Sequence, residues 1–247
     1  MTTTTANHLA DPLALLRGMP FLDDAFNWKR LLAAAAAVRH VEAEHEGATG
    51  KVTSRNTEAW LTPARVHVLR NSPPMPAAPL TSTCRAMVDV ELQAAAATIP
   101  AWDPLIQLPV RYALLTPDKG AISASSRAFP QHVLLAEAAF ESGPVLREQL
   151  VHELAHQWLY MIQEVWALER AGAEPVTLPS GTSGRSPSEV LGAAHVAATL
   201  IRMYRTGGGA PPSRIDALSA YGIGCLNLLT ALTDTGLQIA RRLKEAL

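Results

Sequence analysis

The stretch LREQLVHELAHQWLYMI (residues 146–162) constrains the fold more than any other part of the chain. Leu146, Leu150, Leu154, Trp158, Met161 and Val165 recur at three- and four-residue spacing, which predicts one long helix with a broad apolar face. The preceding ESGP supplies its start, with Ser142 or Gly143 as cap and Pro144 in the first turn, where a missing N–H costs nothing. The helix is expected to run to about Arg170. An element with such a face must be covered by its neighbours, so the rest of the chain has to be built around it.

The same helix carries His152 and His156. Positions i and i+4 lie one turn apart on one face, so both imidazoles can aim at a single ion. Glu153 is rotated about 100° from His152 and stands beside such an ion. Two ligands are too few for a metal centre. The compact pattern HExxHxxGxxH is absent, since Leu159 and Ile162 occupy its glycine and final histidine positions. Glu189 follows His156 by 33 residues, which suits a two-histidine, one-glutamate zinc site, and His195 follows by 39. The two are about 240° apart on a helix, so one ion does not easily take both. A carboxylate in a first turn is favoured by the helix dipole without any metal. His195 is an imidazole on an otherwise apolar segment, and it is the preferred third ligand, with Glu189 as the alternative. His132 is a lesser candidate for a further ligand.

Around the motif helix the sequence predicts a mostly helical α+β chain with a small sheet. Residues 11–46 read as one or two helices, closed by Gly47 and Gly50. ARVHVLR (64–70) alternates like a strand, NSPPMPAAPL (71–80) reads as a surface connection, and CRAMVDVELQAAAATI (84–99) returns to helix. LPVRYALLT and QHVLLAE read as strands, the second feeding directly into the motif helix. A loop rich in Gly, Pro, Ser and Thr then leads to the helix SEVLGAAHVAATLIRMYR, and residues 214–246 look helical with a break near Gly222–Gly224. The expected organisation is one domain over 1–247: a helical part (1–50), a mixed part (51–136) and a helical metal-binding part (137–247).

Apolar residues make up 48% of the chain but aromatics only 5%, and the alanine behind that difference favours helices over a strand-rich sandwich. A formal charge of −1, with scattered basic residues, argues against nucleic acid or an anionic membrane as partner. The start of the chain lacks a basic segment followed by an apolar run, and LLAAAAAVRH is too short to span a bilayer, so a soluble cytoplasmic protein is expected. Cys84 and Cys225 match no metal spacing and read as buried free thiols. Composition says nothing about oligomeric state.

LREQLVHELAHQWLY, LPSGTSGRSPSEVL and GAAHVAATLIRMYR together resemble the HExxH-motif, α-ketoglutarate-dependent peptide β-hydroxylases, with weaker likeness in GMPFLDDAF and SSRAFPQHVLLAEA. About half of the chain carries the likeness, concentrated in residues 120–206. The resemblance implies iron(II) held by His152, His156 and His195, with 2-oxoglutarate and dioxygen as co-substrates. It further implies β-hydroxylation of a ribosomally made peptide, with or without a leader segment. The distal carboxylate of 2-oxoglutarate then needs a cation, and a bidentate arginine suits it. Arg202 is seven residues beyond His195 and on nearly the same face; Arg185 lies in the loop between the ligand helices. Glu153 would orient a ligand or handle protons. Two other readings stand beside this one. Zinc with Glu153 as general base would make a peptidase, zincin-like in the packing of sheet on motif helix. A closed or lost site would leave a non-catalytic peptide-binding protein.

Overall fold

The computed structural model describes residues 11–45, 60–63, 77–116, 120–207 and 209–247. Its elements are α1 (Pro12–Leu16), α2 (Trp28–His45), β1 (Ala77–Pro79), α3 (Ser82–Thr98), α4 (Asp103–Ile106), β2 (Arg111–Leu115), β3 (Ser123–Ser126) and β4 (Phe129–Leu135). The helices α5 (Gly143–Val165), α6 (Pro187–Gly207), α7 (Pro212–Asn227) and α8 (Asp234–Ala246) follow. The chain is therefore α+β and predominantly helical, as its composition predicts.

The motif helix is α5. Ser142 caps it by accepting from the Val145 N–H, Pro144 sits in the first turn, and the helix stops at Val165, one turn before the expected end. It is packed by α2, α3, α6, β3 and β4. Leu146, Leu150, Leu154 and Trp158 are fully buried on it, and the Trp158 indole N–H donates to the Leu105 carbonyl at 2.9 Å. That bond satisfies the one polar atom the indole brings into the core.

The sheet has the order β1-β2-β4-β3, parallel between β2 and β4 and antiparallel at both edges. The two central strands are the two expected from sequence, displaced by a few residues. The edges were not expected. β1 lies in the segment taken as a connection, and Pro79 is accommodated because an edge strand can do without its N–H. β3 reads SASS and carries no apolar alternation to betray it. The strand expected at ARVHVLR and the ends at Gly47 and Gly50 lie outside the described residues.

The break expected at Gly222–Gly224 falls at residues 228–233 instead, between α7 and α8. Both glycines are inside α7, where the space of a side chain is already taken by Leu247 and Ala197 at Gly222 and by Pro179 at Gly224. They serve close helix packing. Cys84 and Cys225 are both free thiols, the first half-buried and the second buried. Among the described residues no helix is long and apolar enough to cross a membrane.

Candidate metal centre

His152 and His156 present their rings side by side on α5, with centroids 5.0 Å apart and planes tilted by 59°. The His156 ring stacks on Tyr160 one turn on, at 5.9 Å and 15°. Across from it α6 places Gly192, where a Cβ would stand only 3.2 Å from His156 Nδ1. The glycine makes room for the imidazole. Burial, then the charges of His152, His195 and Arg185, hold the His156 pKa well below the usual value, so the ring is neutral at neutral pH. A neutral ring is the metal-binding form.

Glu153 is buried beside this pair. Its Oε1 lies 3.9 Å from His152 Nε2 and accepts a hydrogen bond from the Ser123 hydroxyl of β3 at 2.6 Å. Ser123 Oγ is also 2.8 Å from the side-chain oxygen assigned to Gln149. One hydroxyl proton cannot serve two acceptors; it goes to the carboxylate, and Gln149 completes the contact by turning its amide nitrogen to the hydroxyl. Glu153 Oε2 is buried with no hydrogen-bond partner. Leaving such an atom unsatisfied costs about 1–3 kcal/mol or more, and a native fold that keeps one calls for a functional account.

Ser123, His152, Glu153, His156, Tyr160 and Gly192 line one cleft of about 610 Å³, bounded by β3 on one side and by α6 and α7 on the other. The chain matches no protein-family model and no curated protein. What the cleft can do has to be read from its own side chains.

The loop before α6 brings in two more of the expected residues. It turns back on itself through Leu178 N–H to Thr182 O and Val176 N–H to Arg185 O hydrogen bonds, with Gly181 and Gly184 at φ of 88° and 74°, values glycine adopts freely. Arg185 and Glu189 both line the cleft and pair at 2.8 Å, each half-exposed. Glu189 also accepts from the Ser186 N–H at 2.9 Å while Ser186 Oγ receives the Glu189 N–H at 3.4 Å, a capping box that starts α6. The sequence SPSE (186–189) has the spacing of that box. Ser123, Tyr160 and Gly192 join the site without having been expected there.

His195 and Arg202 are placed differently from the expectation. His195 is fully buried and does not line the cleft. It is near enough to disfavour a proton on His156, and its Nε2–H donates to the Pro20 carbonyl at 2.9 Å. Arg202 donates to the Phe21 carbonyl at 3.0 Å and to the Asp24 carboxylate. The shared helix face predicted from their seven-residue spacing exists, but the segment Pro20–Asp24 covers it. The His195 Nδ1 is itself buried with no hydrogen-bond partner, so only one of the two ring nitrogens is satisfied. His132 is also buried outside the cleft, its Nδ1 3.0 Å from the Pro130 carbonyl.

Burial lowers the His195 pKa to about 4. An unfolded histidine titrates near 6.5, so between about pH 6.5 and 4 the unfolded chain holds the extra proton and stability falls as pH drops. The full loss is roughly 3 kcal/mol, complete below the folded value. His156 adds to the loss in the same direction. In the metal-free protein, His195→Gln keeps a donor for Pro20 and cannot titrate. Denaturant midpoints of this variant are expected to depend less on pH across that window than those of the wild type.

Among the described residues, no three His, Cys, Asp or Glu side chains stand close enough together to hold a metal ion. The donor set for an ion is present in part: a preformed histidine pair, one neutral ring and an unpartnered buried carboxylate oxygen beside them. Glu189, engaged by Arg185 and its cap, shares the cleft with the pair, as do Glu153 and Glu148, the latter held by Arg214 and Tyr204.

Proposed function

We propose that this chain is a metal-dependent peptidase, with His152, His156 and Glu189 as ligands and Glu153 as general base, in a zincin-like arrangement of edge strand over motif helix. The buried Glu153 oxygen that has no partner carries the reading. A carboxylate fixed at one oxygen by Ser123 and open at the other is built to receive a proton. Bound zinc would supply Lewis-acid polarisation of the scissile carbonyl and acidify a water.

The chain's own groups divide the remaining work. Glu153 Oε2 takes the proton of the attacking water, and Ser123 keeps the carboxylate from rotating away. Burial pushes the Tyr160 hydroxyl up to about 12, so it stays protonated as a donor for a developing oxyanion. β3, an edge strand along the cleft, offers main-chain partners to an extended peptide. Glu189 would have to give up its pair with Arg185 to serve as the third ligand.

A second reading, iron(II)- and 2-oxoglutarate-dependent hydroxylation of a peptide, is favoured by Arg185, which stands in the same cleft as two histidines and a carboxylate. His195 and Arg202, which this reading would use, bond to the Pro20 carbonyl and to Phe21 and Asp24, and the reading gives Glu153 less to do. Incubating a peptide library with zinc-loaded protein, or with iron(II), 2-oxoglutarate and oxygen, separates the two by mass. Two fragments sharing one added water are expected; an intact peptide carrying one added oxygen atom, with succinate, would establish the second reading. Arg185→Gln sharpens the contrast. Its pair with Glu189 is exposed and screened, worth at most about 1 kcal/mol, so zinc affinity is expected to rise up to about fivefold. Loss of 2-oxoglutarate turnover in this variant would favour hydroxylation.

A further inference from the structure

The cleft is larger than the histidine pair and Glu153 need, and the excess lies against α6 and α7. Ala193, Val196 and Leu200 on α6 face Leu218 and Tyr221 on α7, with Leu178 of the preceding loop at the rim. Small side chains keep this region open, since Gly192 and Ala193 occupy positions from which larger ones would fill it. The wall cannot simply move back to make the space. α6 and α7 approach so closely that a Cβ at Gly222 would stand 3.2 Å from the Ala197 Cβ. Its charged groups cancel: Arg214 pairs with Glu148 at 2.7 Å, and the other Glu148 oxygen takes the Tyr204 hydroxyl. A ligand therefore meets apolar surface and no net charge there, while the unpartnered oxygen of Glu153 marks the reacting end of the same cavity.

We propose that the α6–α7 wall is a subsite for a large, uncharged aliphatic or aromatic side chain of the substrate, next to the bond that reacts. Apolar side chains gain free energy in proportion to the surface they bury, and a pocket of fixed walls converts that gain into selectivity. The placement beside the reacting bond rests on the peptidase reading; the binding preference does not require any chemistry.

The test uses metal-free, methyl-labelled full-length protein titrated with N-acetyl-leucinamide and, separately, N-acetyl-asparaginamide. Shifts are expected at the methyls of Val196, Leu200 and Leu218, with the leucine compound binding at least about tenfold more tightly. Equal affinity, or shifts confined to other methyls, would overturn the subsite. Ala193→Phe is expected to collapse the difference by filling the pocket. In parallel, zinc-loaded protein acting on a peptide library is expected to cut beside large apolar residues. Cutting without that preference defeats the subsite and leaves the peptidase; a leucine preference in binding without any cutting supports the subsite and defeats the peptidase.

Discussion

Glu153→Gln is expected to lower the turnover of a cleavable peptide by about 10²–10⁴-fold, the range for removing a general base, while zinc affinity stays as in the wild type. The substitution is nearly isosteric. Its amide oxygen still accepts from Ser123, so the ring positions of His152 and His156 have no reason to move. What is lost is the ability to take a proton at the buried atom that has no partner. The same change removes a carboxylate from a buried position, where a charged group is the most costly kind to leave unsatisfied. Thermal stability of the metal-free variant is therefore expected to rise. Lower turnover together with higher stability marks a residue kept for chemistry at the expense of folding. Peptide cleavage rates, zinc titration and thermal melts report the three quantities. Undiminished cleavage by the variant would remove Glu153 from the mechanism and the peptidase reading with it.

The parts of the fold legible in the sequence are those where local signals and burial agree. α5 has its cap at Ser142, its proline in the first turn and a heavy apolar face, and all three point to one helix. β2 and β4 are central strands and carry the apolar runs that central strands need. β3 is an edge of small polar residues that pairs on one side only, so its existence depends on β4 and on Ser123 reaching Glu153. No periodicity in SASS reports that.

The candidate site divides along the same line. The histidine pair is a property of one helix and could be placed from spacing alone. Which face of α6 is covered depends on the segment Pro20–Asp24, some 175 residues away in sequence from His195. His195 lies among alanines and valines on the face that this segment covers, with one ring nitrogen on Pro20 and the other without a partner.

Arg39→Met is expected to destabilise the protein by about 3–5 kcal/mol, the range for breaking a buried ion pair from one side. Arg39 is 1% exposed, on a helix whose alanine-rich sequence gives no hint of a buried charge. Its Nε and one terminal nitrogen form a two-bond fork with Glu164 on α5, at 2.7 and 2.9 Å. The other terminal nitrogen donates to the Trp60 carbonyl at 2.9 Å and to the Gln131 side chain at 2.6 Å. Gln131 sits at φ 59°, a left-handed conformation uncommon for this residue type, and is bonded through its N–H to Gln157 at 2.5 Å and through its amide to the Pro109 and Leu61 carbonyls. The guanidinium therefore supports the strained entry to β4 and its seat on α5, one residue beyond His156. Methionine fills the volume but withdraws the cation from a buried carboxylate and the donor from two buried acceptors. Arg39→Met combined with Glu164→Met is expected to recover part of the loss, because an apolar pair can replace a buried ionic one while the Trp60 carbonyl and the Gln131 side chain still lack the Arg39 donor. Denaturant titrations of the two single variants and the double variant give the coupling directly. A single-variant loss under about 1 kcal/mol, the scale of an exposed pair, would show that the network is solvated and does not fix α5 against the sheet.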